Sequence, residues 1–150
     1  MIYRVLGRTG LRVSIAGLGT GGASRLGQSY NQTRAESERV VRVALDLGIN
    51  LFDTAHSYRG SEELLGSALE GVPRDRYVLT TKFSATQGKQ LPADPEELTR
   101  QLEESLRRLR VDYVDVLQYH GVTPDKYDEV IDRFHPVALR AQQAGKTRFL

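Results

Sequence analysis

Segments of strand character and segments of helix character take turns along this chain, and that alternation restricts its fold more than any other feature. Strand-type runs fall at 15–19, 49–53, 77–82 and 111–120, and a fifth begins at 147–150. A helical pattern lies between each pair. Thr33-Arg34-Ala35-Glu36 is a capping box opening a helix with Val40, Val41, Ala44 and Leu47 on one side and Gly48 as its stop. Ser61 is predicted to cap a short helix that turns Leu64, Leu65, Ala68 and Leu69 inward and closes at Gly71. Asp94-Pro95-Glu96-Glu97 supplies cap, N1 proline and acidic first turn for a third helix, striped by Leu98, Leu102, Leu106 and Leu109. Thr123-Pro124-Asp125 starts the fourth, with Val130, Ile131 and Phe134 as its apolar face; Pro136 is predicted to kink or restart it, and Gly145 to stop it. Residues 3–13 read as a β-hairpin about Gly7-Arg8-Thr9-Gly10, and 21–32 as an exposed loop. Strict alternation at βαβ spacing implies an α/β fold with a parallel sheet and right-handed crossovers. Two closures satisfy it: a doubly wound sheet or a (β/α)8 barrel.

Composition narrows the function. With 39% hydrophobic and 27% charged residues among 150, the chain is a folding sequence of one-domain size. Apolar runs such as Val43-Ala44-Leu45 are far too short to span a bilayer, and the N-terminus lacks a signal-peptide core. No membrane partner is expected, and the cytoplasm is the default location. A net charge of +2 gives no footprint for nucleic acid, and the absence of cysteine removes disulfides, thiolate metal sites and cysteine nucleophiles.

Gly17-Leu18-Gly19-Thr20-Gly21-Gly22 satisfies the G-x-G-x-x-G pattern of a dinucleotide-binding turn. That chemistry needs a helix opening within the motif and an acidic residue about 20 positions on. The helix cap waits until Thr33, and Asp53 is too distant. A glycine-rich barrel rim that lets a ligand approach the backbone fits better.

The polar residues at strand ends are more informative. Asp53, Lys82 and His120 end consecutive strands, and Tyr58 follows Asp53 in the next loop. Alternation places Leu51 and Ile49 on Asp53's face, Thr80 and Val78 on that of Lys82, and Gln118 and Val116 on that of His120. In a (β/α)8 barrel such carboxyl-end positions form the catalytic mouth. The set suits proton delivery to a carbonyl oxygen. A free phenol titrates at roughly 10, too high for an efficient acid at neutral pH. An adjacent ammonium favours phenolate, and a carboxylate can hold that ammonium in place. Among these residues there is no strong nucleophile and no metal-ligand set; the natural reaction is proton delivery while something else supplies hydride, chemistry that belongs to a nicotinamide.

These residues carry a resemblance. Gly48-Ile49-Asn50-Leu51-Phe52-Asp53-Thr54-Ala55-His56-Ser57-Tyr58, Ser61-Glu62-Glu63-Leu64-Leu65-Gly66, Thr81-Lys82, the run from Val111 to His120 and Ala144-Gly145-Lys146-Thr147-Arg148 resemble the aldo-keto reductase superfamily, as does the opening Leu6-Gly7-Arg8-Thr9-Gly10-Leu11. The resemblance implies a (β/α)8 TIM barrel that uses NADP(H), or NAD(H), to reduce an aldehyde or ketone or to oxidise an alcohol or sugar. Tyr58 matches the general acid/base, Lys82 and Asp53 its supporting pair, and His120 the residue that orients substrate. Gly19 and Thr20, with Asp53, match positions near the nicotinamide, and the hairpin matches the barrel floor. A full barrel takes about 250 residues. The chain is therefore expected to be a truncated N-terminal half, a partial barrel with four βα units and the start of strand five. Without its C-terminal half it would have little activity.

Other features read blandly. Arg107-Arg108-Leu109-Arg110 is a solvated helix end, Glu62-Glu63 and Glu96-Glu97 are first-turn carboxylates, Glu103-Glu104 is an adjacent pair that diverges around its helix, His56 shapes a loop and His135 precedes the helix break. Two further functions compete: a non-catalytic barrel acting as a regulatory or interaction subunit, and a glycosidase. The second needs two carboxylates across a scissile bond, and only Asp53 occupies a suitable strand end. Substrate selectivity is assigned partly to 21–32 and 83–93 and partly to the expected missing half.

Overall fold

The computed structural model describes residues 1–85 and 90–150, so residues 86–89 of the 83–93 selectivity segment lie outside the description. An antiparallel hairpin pairs β1 (Tyr3–Val5) with β2 (Arg12–Ser14). The chain then alternates through β3 (Leu18–Gly19), α1 (Arg34–Asp46), β4 (Leu51–Asp53), α2 (Ser61–Leu69), β5 (Val78–Ser84), α3 (Glu97–Leu109), β6 (Val114–His120), α4 (Tyr127–Gln143) and β7 (Thr147–Phe149). The five strands β3 to β7 are parallel and adjacent in chain order.

That order decides between the two closures. A doubly wound sheet reverses its strand order and places helices on both faces. Here there is no reversal, and consecutive helices pack side by side on one face. The arrangement is a partial (β/α)8 barrel.

Strand parity separates two apolar layers. Phe52, Leu79, Phe83 and Leu117 point outward and pack with the helix stripes, including Leu65, Leu98, Leu102 and Phe134. Leu51, Val78, Val116 and Phe149 point inward and meet Leu11 and Val13 of the hairpin. Asn50 fastens that hairpin: its side-chain oxygen accepts from the Ser14 N–H at 2.7 Å and its amide donates to the Arg12 carbonyl at 3.0 Å. Among the described residues no helix is long and apolar enough to cross a membrane.

Several local expectations are revised. The 15–19 strand shrinks to two residues, because the Ser14 hydroxyl bonds the Ala16 carbonyl and bends the chain, leaving Ile15 exposed. The Thr33–Glu36 capping box is present, but α1 buries Ser37, Val41 and Ala44 while Val40 and Leu47 are 45% and 66% exposed. Neighbouring helical residues point about 100° apart, so Val40 and Val41 cannot share a face. Ser61 does not cap α2. Gly60, with φ +73°, makes the left-handed entry, and the Ser61 hydroxyl instead donates to the Thr20 carbonyl. Helix α3 starts at Glu97, although the Asp94 carboxylate does accept from the Glu96 N–H. Helix α4 follows a 3-10 turn at Pro124–Lys126 and runs unbroken through Pro136. Pro136 and Asp132 are both exposed, so the carbonyl that loses its helical donor faces water. His135 marks no break; its Nδ1 lies 3.1 Å from the Tyr119 hydroxyl.

Candidate active site

The register of the sheet climbs as the strands proceed. Asp53 lies level with Thr80, Lys82 with Gln118, and Ser84 with His120. Lys82 is thus one inward position beyond Asp53, and His120 one beyond Lys82. This stagger is the shear that closing a barrel requires. It carries the three side chains round a curved rim rather than along a straight row. Strand β5 continues two residues past Lys82, which is therefore not its terminus.

The side chains converge. The Lys82 ammonium is 2.5 Å from Asp53 Oδ1 and donates to the Thr54 carbonyl at 2.8 Å. Asp53 Oδ2 accepts from the Thr80 hydroxyl at 2.7 Å and from the Gln118 amide at 3.4 Å. The carboxylate is thereby held from three sides, and the ammonium is only 12% exposed. Lys82 Nζ lies 4.9 Å from the centre of the Tyr58 ring. The His120 ring stands almost perpendicular to that of Tyr58, with centroids 5.4 Å apart. The Ser57 hydroxyl is 3.3 Å from His120 Nδ1. Burial, reinforced by the Lys82 charge and opposed by Asp53, pushes the His120 imidazole below its ordinary value and favours its neutral form. Below the rim a cavity of about 530 Å³ opens on the inner face, walled by Asp53, Thr80, Gln118 and apolar residues such as Leu51 and Val116.

The glycine-rich segment serves this rim and opens no helix. Gly19 is exposed and level with Asp53, and a Cβ there would meet nothing within 4 Å among the described residues. Thr20 is wholly buried; its N–H donates to the Asp53 carbonyl at 2.8 Å and its own hydroxyl has no partner among the described residues. A Cβ on Gly21 would stand 2.5 Å from Tyr58 Cε2 and Cζ. Sequence inspection did not single out Gly21, Thr80 or Gln118 as site residues. Thr80 and Gln118 were signalled by parity, each two residues before a rim residue; Gly21 was not, because its contact spans 37 positions.

One bland reading is extended and another overturned. Glu62 does sit in the first turn of α2, but it is 0% exposed, accepts from the Thr81 hydroxyl at 2.8 Å and pairs with Arg108 at 3.3 Å. Arg108 is no solvated helix end. Its guanidinium is 21% exposed and also donates to the His56 carbonyl. His56 Nε2 sits 3.0 Å from Glu104, and this hydrogen bond is the main cause holding the Glu104 carboxyl below the usual range. Among the described residues, no group of three or more His, Asp or Glu could hold a metal ion.

A sheet of this topology with this rim invites comparison with known proteins. The profile of the Aldo/keto reductase family matches residues 17–149. The chain belongs to the aldo/keto reductase family. It is 40% identical over 154 residues to L-galactose dehydrogenase of Arabidopsis thaliana, covering 98% of this chain and 46% of that protein. It is 36% identical over 141 residues to a Schizosaccharomyces pombe protein named for a voltage-gated potassium channel subunit beta, covering 88% of this chain and 40% of the other. Among solved structures, the holo form of aldo-keto reductase AKR11C1 from Bacillus halodurans superposes with a TM-score of 0.81 at 32% identity, over 99% of this chain and 49% of that one. The chain thus spans about half the length of the relatives it matches.

Proposed function

We propose that this aldo/keto reductase family member contributes the proton-transfer half of a nicotinamide-dependent oxidoreductase. The substrate class is a small aldehyde or ketone, or in reverse an alcohol or sugar; the cofactor is NADP(H), with NAD(H) as the alternative, and the setting is the cytoplasm. Residues 1–150 are read as the amino-terminal half of a (β/α)8 barrel, since five strands and four helices match about half of each relative. The single observation carrying the reading is the Asp53–Lys82–Tyr58 stack with His120 set against the same phenol ring.

In this reading Tyr58 delivers its phenolic proton to the carbonyl oxygen during reduction and recovers it during oxidation. Lys82, fixed by Asp53 and the Thr54 carbonyl, stabilises the negative charge left on the phenolate. His120, kept neutral, is held at Nδ1 by the Ser57 hydroxyl, which leaves Nε2–H to hydrogen-bond the substrate oxygen. The open space over Gly19 beside Asp53, with the unpartnered Thr20 hydroxyl behind it, fits a flat cofactor ring at the mouth. Gly19, Thr20 and Asp53 are the residues assigned to hold it. When bound, the nicotinamide supplies the hydride.

The experiment is Tyr58→Phe in the intact protein, assayed by NADPH oxidation with nitrobenzaldehyde. Turnover should fall by about 10²–10⁴-fold, the usual contribution of a positioned acid. Unchanged turnover would refute Tyr58 as the acid. The likeness to a protein named for a channel subunit supports a second reading, a non-catalytic barrel. That reading requires the unsubstituted protein to show no turnover with any carbonyl tested.

A further inference from the structure

The loop from Thr54 to Gly60 carries Tyr58, and one side chain outside the rim grips it from behind. Arg108, in the last turn of α3, donates from Nη1 to the His56 carbonyl at 3.3 Å and to Glu62 Oε2 at 3.3 Å. Its Nη2 reaches Glu104 Oε1 at 2.5 Å, and Glu104 holds the His56 ring through its other oxygen. Glu62, wholly buried at the start of α2, is fixed at its second oxygen by Thr81. Thr81 sits between Thr80 and Lys82 on β5 but points to the opposite face. One short stretch of strand therefore orients Lys82 beneath the phenol and, on its other side, anchors the carboxylate behind the phenol's loop. The His56 N–H closes the arrangement on the Lys82 carbonyl at 3.2 Å.

We propose that Arg108 is a positioning residue for the proposed acid, clamping the Tyr58 loop to α2 and α3 through His56 and Glu62. The inference rests on the reading of Tyr58 given above. A planar fork suits this set because the acceptors are spread over the guanidinium: the His56 carbonyl and Glu62 at Nη1, Glu104 at Nη2, and Glu63 at Nε, 3.3 Å away. A lysine ammonium, lacking that fixed fork, cannot reproduce the spread. Close packing is built in as well, since a Cβ on Gly66 of α2 would fall 2.5 Å from the Arg108 carbonyl oxygen.

The test compares Arg108→Lys and the charge-balanced pair Arg108→Met with Glu62→Gln, made in the intact protein, with Tyr58→Phe alongside. The paired change removes the buried Glu62 charge together with that of its partly buried partner, so it keeps the question answerable where a single substitution unfolds the chain. Arg108→Lys should lower kcat by about tenfold, as expected for a displaced reacting group, with KM for NADPH and aldehyde nearly unchanged. Native-state hydrogen exchange at residues 54–60 should quicken while β5, β6 and α3 keep their protection. A purely structural ion pair would lower stability without that kcat loss in the folded protein. Unaltered exchange at 54–60 overturns the clamp. Faster exchange with unaltered kcat overturns its role in positioning. Full turnover by Tyr58→Phe would overturn the acid assignment instead, and the exchange measurement would still decide the clamp.

Discussion

Gly21 lies against the Tyr58 ring so closely that a Cβ at position 21 would stand 2.5 Å from Cε2 and Cζ, the end of the ring that bears the hydroxyl. No real Cβ tolerates that separation, so either the ring or the β3 loop must move. Gly21→Ala should therefore leave the fold intact and displace the phenol from Lys82. Misplacement of about 1 Å can cost about 10²-fold in rate. Steady-state kinetics check this, and a Gly21→Ala protein with undiminished kcat would show that the ring accommodates the methyl without penalty.

A second close approach concerns stability. Gly66 faces the end of α3, where its Cβ would come within 2.7 Å of the Leu109 backbone. Alanine is favoured over glycine in a helix interior by about 1 kcal/mol, but overpacking against backbone costs roughly 1–3 kcal/mol. Gly66→Ala should be net destabilising by about 1 kcal/mol in chemical denaturation. A raised midpoint would mean that α2 and α3 separate freely.

Asp115 points outward from β6, is 1% exposed, and accepts from Arg74 at 2.6 Å, Arg148 at 2.8 Å and the Leu79 N–H at 2.9 Å. It joins β5, β6 and β7 near the end of the sheet remote from the rim. Removing one partner of a buried pair leaves the rest uncompensated, at about 3–5 kcal/mol. Asp115→Ala should lose about 3 kcal/mol of unfolding free energy. A loss below 1 kcal/mol would show that the two arginines simply turn to solvent.

His120 gives the pH prediction. Burial is the first cause lowering its affinity for a proton, the Lys82 charge the second, and Asp53 opposes both. The unfolded chain takes up that proton near 6.5, before the folded chain does. The stability linked to this group is thus present above 6.5 and lost as pH falls through the lower folded value. NMR titration should place the His120 midpoint below 6.5, and His120→Gln should flatten the acid side of the stability profile. A midpoint above 6.5 would contradict the burial of this ring.

The alternation of elements, the leucine stripe of α3 and the inward set Leu51, Val78 and Val116 were legible in the sequence, because 3.6- and 2-residue periods are written locally. The shared rim of Asp53, Lys82 and His120 was legible for the same reason, parity and strand position, and Tyr58 was legible from its place in the loop directly after Asp53. Helix faces were read less well where two apolar neighbours compete, as at Val40 and Val41. The burial of Glu62 and its pairing with Arg108 were not legible, because a charge at a helix end is ordinarily solvated and nothing local reports a partner 46 residues away.

By itself, then, the sequence determined which elements form, in what order, and which side of each strand carries polar chemistry. Only the tertiary structure decided the two-residue stagger between neighbouring strands, the seat of Tyr58 on Gly21, and the pairing of buried Glu62 with Arg108. Backbone periodicity is a property of adjacent residues. Register and ion pairing are set by how distant segments fill space together, and that balance exists only once the chain has closed upon itself.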